Sequence, residues 1–357
     1  MTIQELDELR GRAIERIFSG RRDADRFFLL VSRLWRHTPE NMLAIYMQND
    51  EAKAVAGKRA FEALGLRLKD GEKPFYIYNT VIHKSDDGSY ISEDRAMPAY
   101  ELRQFVGLDE NGEGPGDVFN EGLEGMDSNA LAMARKICAD AGIAVMEVDR
   151  MPREAGYFSG FFDEEEQAVI VCKAMNRELK ASAILYGYVQ YVFSSGENAE
   201  GLAEIEGRAG IRIREEAELL ALYCVERYLG SCAFVRDPGI IVENASRELL
   251  SFEDRHRFIS CVCRGVQAVL GNVEGGLFTV EETNVVNSLL ISGDRKMLLK
   301  LYGEVMQSRI KAEEKVVIAK VFEDILGHMT DAELKALYEA RMNRKIYTYP
   351  ALRLGAV

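Results

Sequence analysis

The chain has 357 residues, enough for about two or three compact units, and its formal net charge is −13. Such an acidic chain is poorly suited to coating duplex DNA without sequence preference. It contains no long uncharged apolar run, and its charged, amphipathic start is unlike a signal peptide. We therefore expect a cytoplasmic protein without membrane contact.

The first part of the chain shows helical periodicity that gives way to a strand. Thr38 and Pro39 provide an N-cap and a first helical residue for the third helix. The predicted elements are helices over 3–18, 24–36, from Pro39 onward and around 55–64, a turn at 69–71, and a strand over 74–82.

Residues 107–128 are rich in Gly, Asp and Glu and are predicted to form a linker. A small α+β unit is predicted to follow, with a helix over 129–141, strands over 143–148, 156–162 and 167–172, a helix over 181–193, a Gly/Glu-rich loop, and a helix over 214–229. The chain from Pro238 onward is predicted to be helical. The predicted division is 1–106, 107–128 (linker), 129–236 and 237–357.

Cysteine and histidine spacing gives no sign of a local metal site. The six cysteines form no CxxC pair and the four histidines lie far apart, so we expect reduced thiols, mostly buried. Basic residues slightly outnumber acidic ones between Arg21 and Lys73, whereas acid is concentrated later in the chain. A nucleic-acid contact would therefore belong to the N-terminal unit.

Residues 40–81 resemble the N-terminal domain of ArdC-type antirestriction proteins. Phe61 stands where that family usually has Trp, and Asp50 stands near its usual Pro. The resemblance implies a mobile-element origin and single-stranded DNA binding. The matching residues are Asn41, Leu43, Gln48, Ala52, Val55, Ala56, Gly57, Phe61, Gly65, Lys69, Gly71, Glu72 and Lys73.

Single-strand binding needs cations that follow the phosphates and aromatic faces on which bases stack. This window carries both residue types, with Tyr76 and Tyr78 among the aromatics. The alternative is that the aromatics are core residues and the cations form an ordinary solvated face. The candidate nucleic-acid-binding residues are Arg33, Trp35, Arg36, Tyr46, Lys58, Arg59, Lys69 and Lys73.

Residues 156–230 resemble the metallopeptidase-like domain of the same family, which is similar to zincins that carry His-Glu-x-x-His. In zincins the two histidines and a carboxylate from the next helix hold zinc, and the intervening Glu is the general base. Alignment of the apolar flank places Tyr186 and Gln190 at the histidine positions and Gly187 at the glutamate. Glu216 or Glu218 would be the remaining carboxylate.

Each replacement removes a required property. A phenol and a carboxamide are poor zinc ligands beside imidazole, and glycine cannot accept a proton. We therefore expect an erased site without metal, cofactor or catalytic residue. The alternatives are an apolar core helix that never carried a site, and an unorthodox working zinc site.

The resemblance spans roughly residues 25–270 and gives no information on 271–357. It implies an α+β, mainly helical chain with an ArdC-like N-terminal domain, a zincin-like α+β domain lacking the His-Glu-x-x-His motif, and a C-terminal helical extension. The favoured hypothesis is a non-enzymatic antirestriction-like protein that binds single-stranded DNA, a host protein or both. A related hypothesis is that its clustered acidic residues imitate DNA phosphates and occupy a DNA-binding partner. The alternatives are a pseudo-metallopeptidase scaffold with a peptide-binding groove and, least favoured, an active metallopeptidase.

Overall fold

The structure is a computed structural model that describes residues 1–62, 66–107, 130–151, 160–194, 196–230, 235, 237–274, 294–310, 312–328, 330–332 and 334–335. The chain is α+β and mainly helical. Two compact units alternate along the sequence. Unit 1 consists of Met1–Asp7, Val55–Pro115 and Phe278–Val357, and unit 2 consists of Glu8–Ala54 and Gly116–Leu277.

The first three helices agree closely with the sequence prediction. Helix α1 spans Ile3–Ser19, α2 spans Arg21–Leu34 and α3 spans Pro39–Gln48. The hydroxyl of Thr38 accepts a hydrogen bond from the Asn41 N–H at 3.3 Å, which confirms the predicted cap.

Polar contacts join α1, α2 and the segment after α3 in unit 2. Arg16 pairs with Asp23 at 2.7 Å and lies over the Tyr46 ring, 5.0 Å from its centroid. The Tyr46 hydroxyl donates to the Asp23 carbonyl at 3.0 Å, and Asp50 pairs with Arg26 at 2.9 Å. These half-buried ion pairs surround apolar helix faces that include the edge-to-face pair Phe27–Phe28.

Short strands and a long hairpin make up the first part of unit 1. The elements are β1 (Val55–Ala56), α4 (Lys58–Glu62), β2 (Leu66–Leu68), β3 (Phe75–Lys84), β4 (Tyr90–Glu101), a 3-10 turn (Leu102–Gln104) and β5 (Phe105–Gly107). Strand β4 lies between β1 and β3, and β2 pairs with β5; all these pairs are antiparallel.

Strand β4 was absent from the sequence prediction. Its central residues, Ser92–Arg95, are polar or charged and mostly exposed, so the strand lacks a hydrophobic alternation. The turn before it is fixed by Asp87, which accepts hydrogen bonds from Ser85 and Ser89, and by Gly88 at φ +84°.

The C-terminal helices of unit 1 pack against this hairpin. Helix α11 spans Arg295–Gln307 and α12 spans Ala312–His328. The Ser308 hydroxyl accepts from the Tyr90 N–H at 3.0 Å, and Arg309 pairs with Asp87 at 2.8 Å. The predicted helical extension thus contributes a core cluster to unit 1, formed by Ile82, Leu298, Leu301, Val305, Ile310, Ile318, Phe322 and Leu334.

A three-stranded sheet and its helices form the larger part of unit 2. Their order is α5 (Ala130–Asp140), β6 (Ala144–Val148), β7 (Gly160–Asp163), β8 (Ala168–Cys172), α6 (Arg177–Ser194), α7 (Gly196–Ala209), α8 (Arg214–Tyr228), α9 (Pro238–Glu248) and α10 (Phe252–Glu274). The strand order is β6-β8-β7, with β6 parallel and β7 antiparallel to β8.

The prediction of a loop between α6 and α8 is wrong, because residues 196–209 form helix α7. Leu202 and Ile205 are fully buried one turn apart, and this burial stabilises a helix despite its glycines. Gly201 lies so close to α10 that an added Cβ would be 2.7 Å from the Cys261 sulfur. The glycines that suggested a loop instead permit close helix packing.

The compact units differ from the predicted division, because residues 8–54 cluster with 116–277 and the end of the chain clusters with 55–115. Nearly all of the predicted linker lies outside the described residues. The described cysteines, Cys138, Cys172, Cys224, Cys261 and Cys263, are free thiols. No described helix has the length and hydropathy needed to cross a bilayer.

Helix α6 approaches its sheet at two glycines. A Cβ added at Gly160 in β7 would lie 2.8 Å from the Ala183 Cβ. A Cβ added at Gly187 in α6 would lie 2.5 Å from Val169 Cγ1 and 3.3 Å from the Phe161 carbonyl carbon. Even a methyl group at residue 187 would force α6 and the sheet apart.

We predict that Gly187→Ala destabilises the protein by about 1–3 kcal/mol, because the steric cost exceeds the gain in helix propensity. Gly207→Ala is the matched control, since Gly207 lies in α7 with nothing within 4 Å of its added Cβ. That control should stabilise the protein by up to about 1 kcal/mol. Urea unfolding measures both, and equal stabilisation by the two variants would contradict the close approach.

Candidate functional site

Tyr186, Gln190 and Glu218 meet between α6 and α8 of unit 2. The Tyr186 hydroxyl donates to Glu218 Oε2 at 3.4 Å, and Gln190 forms side-chain hydrogen bonds with both residues. Gln190 Oε1 also accepts from the Phe162 N–H in β7 at 2.9 Å. The two helix positions aligned with zinc-binding histidines therefore share one polar cluster with a carboxyl group.

Glu218, rather than Glu216, supplies that carboxyl group. Glu216 lines a shallow cleft elsewhere on α8, together with Gly210, Ile211, Arg212, Asn244, Arg247 and Glu248. Burial and the nearby carboxylates of Glu215 and Glu248 raise the pKa of Glu216. Since Glu216 and Glu218 are two positions apart on one helix, they project in different directions.

The Glu218 carboxyl is held in a water-poor environment. Glu218 is 6% exposed and Tyr186 is 4% exposed. Burial raises the pKa of Glu218 to about 7, an effect that the hydrogen bonds from Gln190 and Tyr186 and the charge of Arg214 oppose. Burial, followed by the negative charge of Glu218, raises the pKa of the Tyr186 phenol. Near pH 7 the phenol is therefore neutral, and a substantial share of the Glu218 carboxyl is protonated.

These residues do not fit a catalytic zinc ion. The cluster offers a phenol, a carboxamide and one carboxyl group, and no imidazole or thiolate. In the part of the chain that the structure describes, no group of three or more His, Cys, Asp or Glu side chains is arranged to hold a metal ion. Gly187 faces Val169 and Phe161 without room for a general-base side chain.

Tyr186 and Gln190 are both engaged in contacts inside unit 2. Tyr186 is buried, and the half-buried Gln190 uses its amide to bind both β7 and α8. The scaffold hypothesis required these two residues to be accessible to a peptide. Their burial and bonding instead give them a role inside unit 2.

Four predicted nucleic-acid-binding residues lie in unit 2, and their aromatics are buried. Trp35 is 4% exposed and packs edge-to-face against Tyr228 at a centroid distance of 6.0 Å. Arg36 lies over the Trp35 ring, 4.4 Å from its centroid, and Tyr46 is 1% exposed. Arg33 is half-buried in the last turn of α2. Neither ring is available to stack on a base.

The other four predicted residues, Lys58, Arg59, Lys69 and Lys73, are exposed in unit 1. Lys58 and Arg59 lie on α4, which packs against β2; Lys69 and Lys73 follow β2. Sequence reasoning did not select two further exposed cations of the β2–β5 ribbon, Arg67 and Arg103. Arg67 was visible in the basic segment, whereas only the pairing of β2 with β5 brings Arg103 nearby.

The hydrogen bonds of the ribbon fix the backbone between these cations. The Lys69 N–H donates to the Gln104 carbonyl at 2.8 Å, and the Gln104 amide donates to the Lys73 carbonyl at 2.8 Å. Acidic side chains also occur here: Glu62 pairs with Lys58 at 3.4 Å, and Glu72 accepts from Gln104 at 2.9 Å. The excess of positive charge on this surface is therefore small.

Comparison with known proteins gave two solved structures of interest. The chain is similar to the metal-free crystal structure of the antirestriction protein ArdC from the R388 plasmid, with a TM-score of 0.42, 13% identity, and coverage of 75% of this chain and 98% of that one. The Mn(II)-bound structure of that ArdC protein gives a TM-score of 0.39, 12% identity, and coverage of 67% and 88%. TM-scores below 0.5 are too low to establish a shared fold. No family model and no curated protein matches the chain.

The raised pKa of Glu218 predicts a specific pH dependence of stability. An acid whose pKa rises from 4.5 in the unfolded chain to about 7 in the folded protein keeps its proton better in the folded state. The free energy of unfolding should therefore fall as the pH rises from about 4.5 to about 7, by at most about 3 kcal/mol from this group.

The variant Glu218→Gln should lose this part of the pH dependence, and it should be more stable than the wild type above pH 7. Chemical denaturation across pH 4–8 measures the effect. Glu164→Gln, in an exposed turn, controls for the removal of one negative charge. An unchanged pH profile in Glu218→Gln would show that the carboxyl titrates as if it were in water.

Proposed function

We propose that this chain is a non-enzymatic antirestriction-like protein that acts by binding and not by hydrolysis. The observation that carries the proposal is the buried Tyr186–Gln190–Glu218 cluster, in which the positions aligned with zinc ligands bind one another. The sequence resemblance of residues 40–81 to ArdC-type proteins supports the antirestriction assignment. The lack of space for any side chain at Gly187, which packs directly against Val169, supports the absence of a general base there.

Single-stranded DNA is the proposed ligand, and the surface of α4 and the β2–β5 ribbon is its proposed binding site. Lys58, Arg59, Lys69 and Lys73 are exposed there and can follow a phosphate backbone. Tyr76 and Tyr100 are half-buried in the adjoining strands β3 and β4 and are the proposed stacking faces. Trp35 and Tyr46 are excluded from this role by their burial.

The local charge predicts weak, salt-sensitive binding. Neutralisation of about four phosphates on a single strand gives a slope near −3 in a plot of log K against log salt concentration. Glu62, Asp70 and Glu72 lie among the cations and reduce their attraction for DNA. Binding should therefore be observable mainly at low salt.

We predict that replacing Lys58, Arg59, Lys69 and Lys73 together by Ala lowers affinity for a labelled single-stranded oligonucleotide by about tenfold or more at low salt, and brings the salt slope close to zero. Fluorescence anisotropy at several salt concentrations measures both quantities. Because these side chains are exposed, the variant should keep the stability of the wild type.

Tyr46→Phe is the control for this experiment. It removes the buried hydroxyl that bonds Asp23, so it should reduce the free energy of unfolding by about 1–2 kcal/mol while leaving oligonucleotide affinity unchanged. If the wild type shows no binding even at low salt, or if Tyr46→Phe weakens binding as much as the fourfold variant, the proposed site is wrong.

Zinc content provides a separate test of the non-enzymatic assignment. Protein purified without chelator should contain far less than one equivalent of zinc by elemental analysis, because the cluster lacks imidazole and thiolate ligands. The Glu218→Ala variant should give the same value. Stoichiometric zinc that disappears in Glu218→Ala would overturn the assignment and favour a metallopeptidase.

A further inference from the structure

Strand β7 lies at the edge of the described sheet of unit 2. Its antiparallel register with β8 pairs Gly160 with Val171 and Phe162 with Val169. Along an antiparallel strand, successive N–H groups point alternately toward the partner strand and away from it. Phe162 directs its N–H to Gln190, so this donor points away from β8.

Unpaired edge donors and acceptors are templates for pairing with another strand, and folded proteins usually protect them. In this protein the side chain of Gln190, on α6, occupies one of the outward-facing donors of β7. Gln190 Oε1 accepts from the Phe162 N–H at 2.9 Å, as the carbonyl of an adjacent strand would.

The Gln190 side chain is also held by two residues other than Phe162. It is hydrogen-bonded to Glu218 and to Tyr186, both almost fully buried. These contacts keep Oε1 directed at the strand. The close packing at Gly160 and Gly187 brings α6 near enough for a glutamine to reach β7.

We propose that Gln190 is a clamp that closes the β7 edge against pairing with the same edge of a second copy of this chain. Tyr186 and Glu218 are positioning residues that hold the clamp in place. The clamp gives this helix position a role of its own, beyond the loss of a metal ligand.

A second copy fits this edge in both geometry and charge. Two copies of β7 can pair antiparallel about a two-fold axis, in which each strand presents the same donors and acceptors to the other. The acidic turn, Asp163–Glu166, then lies at opposite ends of the paired strands, so the carboxylates do not face one another. The half-buried side chains of Phe161 and Phe162 supply apolar surface on the two faces of this strand.

The test compares Gln190→Ala with the wild type by amide hydrogen exchange and by sedimentation velocity over a range of concentrations. We expect the Phe162 amide to exchange about tenfold faster or more in the variant, since its acceptor is lost. We also expect the variant to associate at concentrations where the wild type sediments unchanged. Gln190→Asn, one methylene shorter, should show both effects and provides a second variant if Gln190→Ala fails to fold.

Gln267→Ala is the matched control. Gln267, on α10, also donates its side-chain amide to a backbone group, the His37 carbonyl at 2.6 Å, but that group does not lie at a sheet edge. This variant should change neither Phe162 exchange nor association. The proposal is overturned if Phe162 exchange is unchanged in both Gln190 variants, or if neither associates more than Gln267→Ala.

Discussion

The close approach of α6 to the sheet of unit 2 determines which chemistry this part of the chain supports. Gly187 and Gly160 remove the side chains that would otherwise separate the helix from β7 and β8. With the two layers in contact, Gln190 reaches the β7 backbone and Tyr186 reaches Glu218 on α8. A working metal centre needs an open position for water or substrate. At Gly187, Val169 and the Phe161 backbone leave no room even for a Cβ.

The sequence was most informative where local signals agree with tertiary packing. Thr38 and Pro39 start α3 as predicted, and the apolar runs before α6 form β7 and β8. Strand β4 could not be inferred because its exposed central charges hide any hydrophobic alternation. Helix α7 could not be inferred because its glycines are compensated by a packing partner distant in sequence. The contact between Gly201 and Cys261 is one such compensation.

The same reasoning explains which candidate site residues could be predicted. Tyr186 and Gln190 were found by alignment with a motif, and their spacing of one helical turn placed them together. Sequence alone could not choose between Glu216 and Glu218, because that choice depends on how α8 is rotated against α6. Trp35 and Tyr46 carry no signal that distinguishes a buried aromatic from an exposed stacking platform. Their burial results from packing against Tyr228 and Phe27, which lie on helices α8 and α2.

The way the C-terminal helices complete unit 1 has a consequence for biosynthesis. The hairpin β3–β4 leaves the ribosome more than two hundred residues before Ser308 and Arg309, which bind its turn and the start of β4. Until then, Ile82 and Tyr90 lack the apolar surface that covers them in the folded protein. Non-local contacts of this kind slow folding and leave apolar surface exposed during synthesis. All segments of unit 2 are synthesised before the C-terminal helices of unit 1. Unit 1 should therefore remain incompletely folded until those helices have been synthesised.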